Sequence, residues 1–125
     1  EKLLCVLAYL TQVSVADKAD LEEVVSFARR VVEPVGDDFW RGLDAALVSV
    51  RVRPDEERIE DAAGCLQADF ANRYLGGGAL HQGSVQEEIR FCICPECLVG
   101  MLFCEVMLDN EALFIADARQ YSFYT

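Results

Sequence analysis

The sequence has a single histidine, three prolines and no apolar run longer than eight residues. Runs of eight, at 3–10 and 97–104, cannot cross a bilayer, which takes about 20 residues. No charged-then-apolar leader opens the chain, so a secreted or membrane role has no support and a reducing compartment is expected. Basic residues are scarce: 11 Lys and Arg face 22 Asp and Glu, for a net charge of −11. A chain this acidic repels a nucleic-acid backbone, so no direct DNA binding is expected. Any phosphate must then be held by backbone N–H groups rather than by a basic field. What is abundant is apolar. Hydrophobic residues make up 53%, which excludes disorder, and 125 residues are room for one domain. About 65% of the unfolded surface could be buried at this size.

Six cysteines stand at positions 5, 65, 92, 94, 97 and 104. Cys92-x-Cys94-x-x-Cys97 has the density of a metal site, but structural zinc takes paired C-x(2–4)-C ligands or a pair with histidines. Here three thiols share one stretch and the lone histidine is His81. Reduced, packed thiols are expected, and no metal. The chain begins at Glu1 without a methionine and stops just after an aromatic-rich stretch, so it reads as a piece of a longer protein.

Leu3, Val6, Leu7 and Leu10 have the spacing of one helix face over residues 2–13. Asp20 with Glu23 three residues on predicts a capped helix with Leu21, Val24, Val25, Ala28, Val31 and Val32 inward, ended by Pro34 and Gly36. Val48, Val50 and Val52 alternate with polar residues and predict a strand. Residues 65–70 read as a short buried strand. Ser84-x-x-Glu87 predicts a capping box opening a helix, Pro95 divides the stretch, and a second helix follows from Glu96. A last strand is expected over residues 113–116. Helices first, then strands alternating with helices, point to an α/β layer.

The unit that carries chemistry is strand, glycine loop, helix: Leu66-Gln67-Ala68-Asp69-Phe70, then Gly76-Gly77-Gly78, then Gln86-Glu87-Glu88. Three consecutive glycines cost backbone entropy and offer no packing. They suit a place where a ligand must approach the backbone, and a loop entering a helix N-terminus aims N–H groups at phosphate. A flexible surface loop is the alternative. Glu87 is the expected capping partner of Ser84. Glu88 has no such partner, and an acid beside a glycine loop is a candidate general acid or base. Glutamates also start helices simply because they suit the dipole. A side chain at Gly77 is expected to abolish ligand binding with little change in melting temperature.

Gly76-Gly77-Gly78, seven residues, then Gln86-Glu87-Glu88 resembles the signature of poly(ADP-ribose) glycohydrolases. The likeness continues in Leu66-Gln67-Ala68-Asp69-Phe70-Ala71-Asn72-Arg73, Glu87-Glu88-Ile89-Arg90-Phe91, Pro95-Glu96, Gln120-Tyr121-Ser122 and Tyr124-Thr125, and in Glu1-Lys2-Leu3 with Tyr9. The resemblance implies a macrodomain-like α/β/α core, partial here, preceded by a helical segment. Residues 1–45 would be the helical accessory segment. Residues 46–125 would be the N-terminal part of the catalytic core, truncated at its C-terminus.

The resemblance further implies hydrolysis of ribose–ribose O-glycosidic bonds in poly(ADP-ribose) chains on modified proteins, releasing ADP-ribose. It implies no cofactor and a nuclear or cytoplasmic setting. Glu88 falls on the catalytic acid, Glu87 and Gln86 on its supporting partners, and Asp69 and Asn72 on polar residues around the reacting ribose. Gly76, Gly77 and Gly78 fall on the loop against diphosphate and ribose, and Ile59 and Glu60 on an adenine-contacting pair. Adjacent glutamates cannot flank a sugar as the usual carboxylate pair does, ~5–10 Å apart. A scheme with one carboxylate is expected, with the pKa of Glu88 raised by burial next to bound substrate, against the lowering effect of the helix N-terminus. A non-catalytic ADP-ribose reader and a cysteine-rich zinc or redox module are the alternatives.

Overall fold

The computed structural model describes residues 1–124; Thr125, the end of the Tyr124-Thr125 motif, lies outside the described residues. The chain opens with α1 (Lys2–Val15), the expected helix carried two residues further. Its inward stripe differs from the expected one. Cys5, Val6, Tyr9 and Val13 are half-buried, whereas Leu3, Leu7 and Leu10 are exposed. The rotation follows from two fixed points. The Lys2 ammonium reaches the carbonyls of residues 78, 79 and 81, and the Tyr9 ring stands edge-on to Tyr121 at 4.8 Å.

The expected helix over residues 20–32 is replaced by a helical turn and a strand. Asp17, three residues earlier than expected, accepts the Asp20 N–H and caps α2 (Lys18–Leu21). Ser26–Val31 then forms β1, so the front 45 residues are not wholly helical. Valines at 24, 25, 31 and 32 lose rotamer freedom in a helix and fit a pleated surface. The partner strand decides between the two states. This partner, β2 (Glu111–Ala116), covers the expected strand at 113–116 and pairs antiparallel, from Ser26 opposite Ala116 to Val31 opposite Glu111. Arg29 ties the pair down, with an ion pair to Glu111 and hydrogen bonds to the Glu105 and Val106 carbonyls.

A short helix, α3 (Asp37–Arg41), follows. The strand expected over residues 48–52 is absent. Val48, Val50 and Val52 are exposed, and alternation without a neighbouring strand to accept its hydrogen bonds forms no sheet. Residues 65–70 are likewise not a strand, because a side chain takes the place of a neighbour. Gln86 accepts the Phe70 N–H at 2.9 Å and donates to the Ala68 carbonyl at 3.0 Å.

The core gathers around α4 (Gln86–Ile93) and the 3-10 helix Pro95–Leu102. Pro95 does divide the stretch, but the second piece is 3-10 rather than α. Buried Cys94, Cys97 and Gly100 recur every three residues, the period at which a 3-10 helix stacks side chains. Leu75, Ala79, Phe91, Ile93, Cys94 and Cys97 form the buried cluster, with Leu98, Met101, Leu113 and Ile115 against it. Phe91 and Ile93 are fully enclosed, each stabilising the fold by about 1.5–3 kcal/mol. Gly100 lets β1 dock, since a Cβ there would stand 2.6 Å from the Phe27 ring and 2.8 Å from Leu75. The described residues therefore combine helices with a two-stranded antiparallel sheet, part of an α/β arrangement.

Candidate functional site

The glycine loop folds over the first turn of α4, and its N–H groups converge on two adjacent carboxylates. Glu87, 2% exposed, accepts the Gly76 N–H at 2.7 Å and the Asn72 N–H at 2.9 Å. Glu88, 7% exposed, accepts the Gly78 and Val85 N–H groups, both at 2.9 Å. This corrects the expected capping pattern. The N-cap is Val85 rather than Ser84, and Glu88, not Glu87, reaches back to it. The helix starts one residue later because the loop donors claim Glu87.

Gly76 and Gly77 have φ of +81° and +48°, where L side chains are strained. Space restricts Gly77 as well. A Cβ there would lie 2.7 Å from Glu88 Oε1, 2.8 Å from Glu87 Oε2 and 3.5 Å from Asn72 Cβ. Asn72, Gly77, Glu87 and Glu88 thus meet at one point, with the bare loop backbone packed directly on the carboxylates. Gly83, unassigned in the sequence, belongs to the same arrangement: its Cβ would stand 2.6 Å from Glu88 Oε1. A fourth glycine in an aperiodic loop was the available signal.

Backbone N–H donors, Gly78 first and then Val85, hold the Glu88 carboxyl below the usual carboxylate range, against the opposing effect of desolvation. The lowering expected of the helix start is thus present, supplied by specific backbone N–H groups. Asp69 behaves oppositely. The residue is exposed overall, yet loss of hydration and then the charge of Glu87 push its pKa up to about 6, with Arg90 opposing. Arg90 is further occupied by a hydrogen bond to Gln67.

Because folding raises the Asp69 pKa, the associated stability is present below the unfolded value of 3.8 and is lost as pH rises through about 6. Asp69→Asn should therefore match wild type near pH 4 and exceed it at pH 7.5. Allowing for screening at an exposed residue, the gain is about 1 kcal/mol, or about 4 °C in Tm. Thermal melts of both proteins at the two pH values check this, and equal melting at pH 7.5 contradicts it.

Ile59 and Glu60 lie apart from the carboxylates, on a 3-10 turn (Ile59–Asp61). With Arg58, Gln86, Ile89, Arg90 and Tyr124 they line an open cleft of roughly 370 Å³. Gln86 joins the two regions, since its side chain also holds residues 68–70. Glu60 Oε1 is buried without a hydrogen-bond partner among the described residues. Cys92, Cys94 and Cys97 are buried, and desolvation raises all three thiols, Cys97 to about 12. They pack as small apolar groups, and among the described residues no group of three or more His, Cys, Asp or Glu is placed to hold a metal.

Comparison with known proteins matches residues 37–125 to the family described as "Poly (ADP-ribose) glycohydrolase (PARG), Macro domain fold". Poly(ADP-ribose) glycohydrolase 1 of Arabidopsis thaliana is 45% identical over 102 residues, 82% of this chain and 19% of the relative. Poly(ADP-ribose) glycohydrolase 1 of Caenorhabditis elegans is 61% identical over 71 residues, 57% of this chain and 9% of the relative. Poly(ADP-ribose) glycohydrolase 2 of Caenorhabditis elegans is 52% identical over 71 residues, 15% of its length. The chain thus spans about a fifth or less of the curated relatives it matches.

Proposed function

Because this chain belongs to the poly(ADP-ribose) glycohydrolase family, whose fold is the macrodomain, we propose that the whole protein hydrolyses ribose–ribose bonds of poly(ADP-ribose) and releases ADP-ribose. The observation that carries this reading is the convergence of Gly77 backbone, Asn72, Glu87 and Glu88. A ribose laid against the loop at Gly77 would lie beside Glu88, the less buried of the two carboxylates, with Glu87 behind it bracing the loop. Residues 1–45 serve as an accessory segment to this core, and chains on modified proteins in the nucleus or cytoplasm are the targets.

Glu88 is assigned the proton transfers. As the acid it protonates the bridging oxygen while the anomeric C–O bond breaks and an oxocarbenium ion forms. As the carboxylate it then takes a proton from the water that attacks the anomeric carbon. Backbone N–H groups favour the ionised form of Glu88, so a bound substrate must raise its pKa. A diphosphate placed nearby does so in two ways, by adding negative charge and by excluding water. Glu87, with both oxygens engaged by backbone, keeps the loop in place. Asp69 and Asn72 are assigned to ribose hydroxyls. Ile59 and Glu60, which line the cleft, are assigned to the adenine, whose exocyclic amine is a donor that suits a carboxylate.

One observation favours a second reading. A carboxylate with lowered pKa is a good acceptor for ribose hydroxyls and a poor acid, which suits a module that binds ADP-ribose without cutting it. Full-length protein should release ADP-ribose from poly(ADP-ribose) and also bind ADP-ribose in calorimetry. Binding without release identifies the reader, and neither result would leave the glycohydrolase reading standing.

A further inference from the structure

The glycine loop is held by a second charged group besides the glutamates. Lys2, in the first turn of α1, donates to the carbonyls of Gly78 at 3.0 Å, Ala79 at 3.0 Å and His81 at 2.9 Å. An ammonium has three N–H donors, and all are committed to the loop. Three carbonyl oxygens pointing at one spot repel one another unless a cation lies between them. The Gly78 carbonyl also accepts the His81 N–H at 2.9 Å and the Gly83 N–H at 3.2 Å, closing the turn that Lys2 covers.

Gly78 is therefore gripped at both ends: its N–H by Glu88, its carbonyl by Lys2. We propose that Lys2 is a positioning residue for the ADP-ribose site, fixing residues 77–83 at the height where bare loop backbone and Glu88 face the same ribose. This rests on the glycohydrolase reading of the loop. The contact joins positions 76 to 79 apart in the chain, and it links α1 directly to the catalytic turn. The core cluster around Phe91 and Ile93 does not include Lys2, so its loss should loosen the loop and leave the core in place.

Lys2→Met keeps the length and apolar stem of the side chain and removes the donors. In full-length protein it should weaken ADP-ribose binding about tenfold and raise KM for poly(ADP-ribose), given the strength of hydrogen bonds from a charged donor. Calorimetric stoichiometry should stay that of wild type. Lys2→Arg, which keeps the charge and several donors, should restore most of the affinity. Amide exchange should quicken across residues 77–83 but not in α4. A merely structural lysine gives another pattern, lower stoichiometry with unchanged Kd, and that result overturns the proposal. Wild-type protein that neither binds ADP-ribose nor releases it overturns the functional reading and this inference with it. Wild-type binding matched by Lys2→Met overturns Lys2 alone.

Discussion

Replacing Glu88 by glutamine should lower ADP-ribose release from poly(ADP-ribose) by a factor of about 10² or more, the usual contribution of a positioned acid or base. The structure adds a condition to that expectation. Both Glu88 oxygens accept backbone N–H groups, from Gly78 and Val85. Glutamine keeps one acceptor and turns an amide NH2 toward the other donor, so some loosening of the loop accompanies the chemical loss. Turnover is therefore to be measured per ADP-ribose-binding site, counted by calorimetry in the same preparation. Sites that bind ADP-ribose yet turn over as fast as wild type would falsify the role given to Glu88.

Gly77→Val should have the largest effect on the fold itself. The sequence alone suggested a loss of binding with little change in melting temperature, and the structure overturns the second half. A β-branched residue at φ +48° is strained, and its Cβ would press on two buried carboxylate oxygens at 2.7 and 2.8 Å. The left-handed backbone costs about 1–2 kcal/mol and overpacking about 1–3 kcal/mol more. Together they lower Tm by roughly 10 °C or more in a domain of this size. ADP-ribose binding should vanish as well, because relieving the clash moves Glu87 and Glu88 off the loop. A variant melting within 2 °C of wild type would show that the loop yields freely and does not anchor the carboxylates.

The parts of the site that could be read from the sequence are those whose partners lie close along the chain. Gly76 to Glu88 is one continuous stretch, so its spacing alone announces loop and helix start. The division of labour between Glu87 and Glu88 could not be read that way. It turns on which loop N–H groups reach which carboxylate, and a shift of one residue in the helix start exchanged the roles. Helix α1 was legible from its three-and-four spacing, but its inward face was not, because Lys2 and Tyr9 find their partners near residues 80 and 121. Valines around β1 fit either a helix or a strand, and only a distant partner settles the matter. The apparent strand at 65–70 failed for the opposite reason: a neighbouring side chain, Gln86, supplied the hydrogen bonds a sheet would have given.

The pairing of β1 with β2 joins positions separated by 80 to 90 residues. At ribosomal elongation of about 5–20 residues per second, β1 leaves the exit tunnel roughly 4 to 18 s before its partner has been made. Helix α1 can form locally in that interval, but β1 cannot, and its open edge beside the valines at 24, 25, 31 and 32 is a template for wrong partners. A chain that closes its sheet this late folds with high contact order, so faster elongation or chaperone cover over the front segment should raise soluble yield more than stabilising the core would.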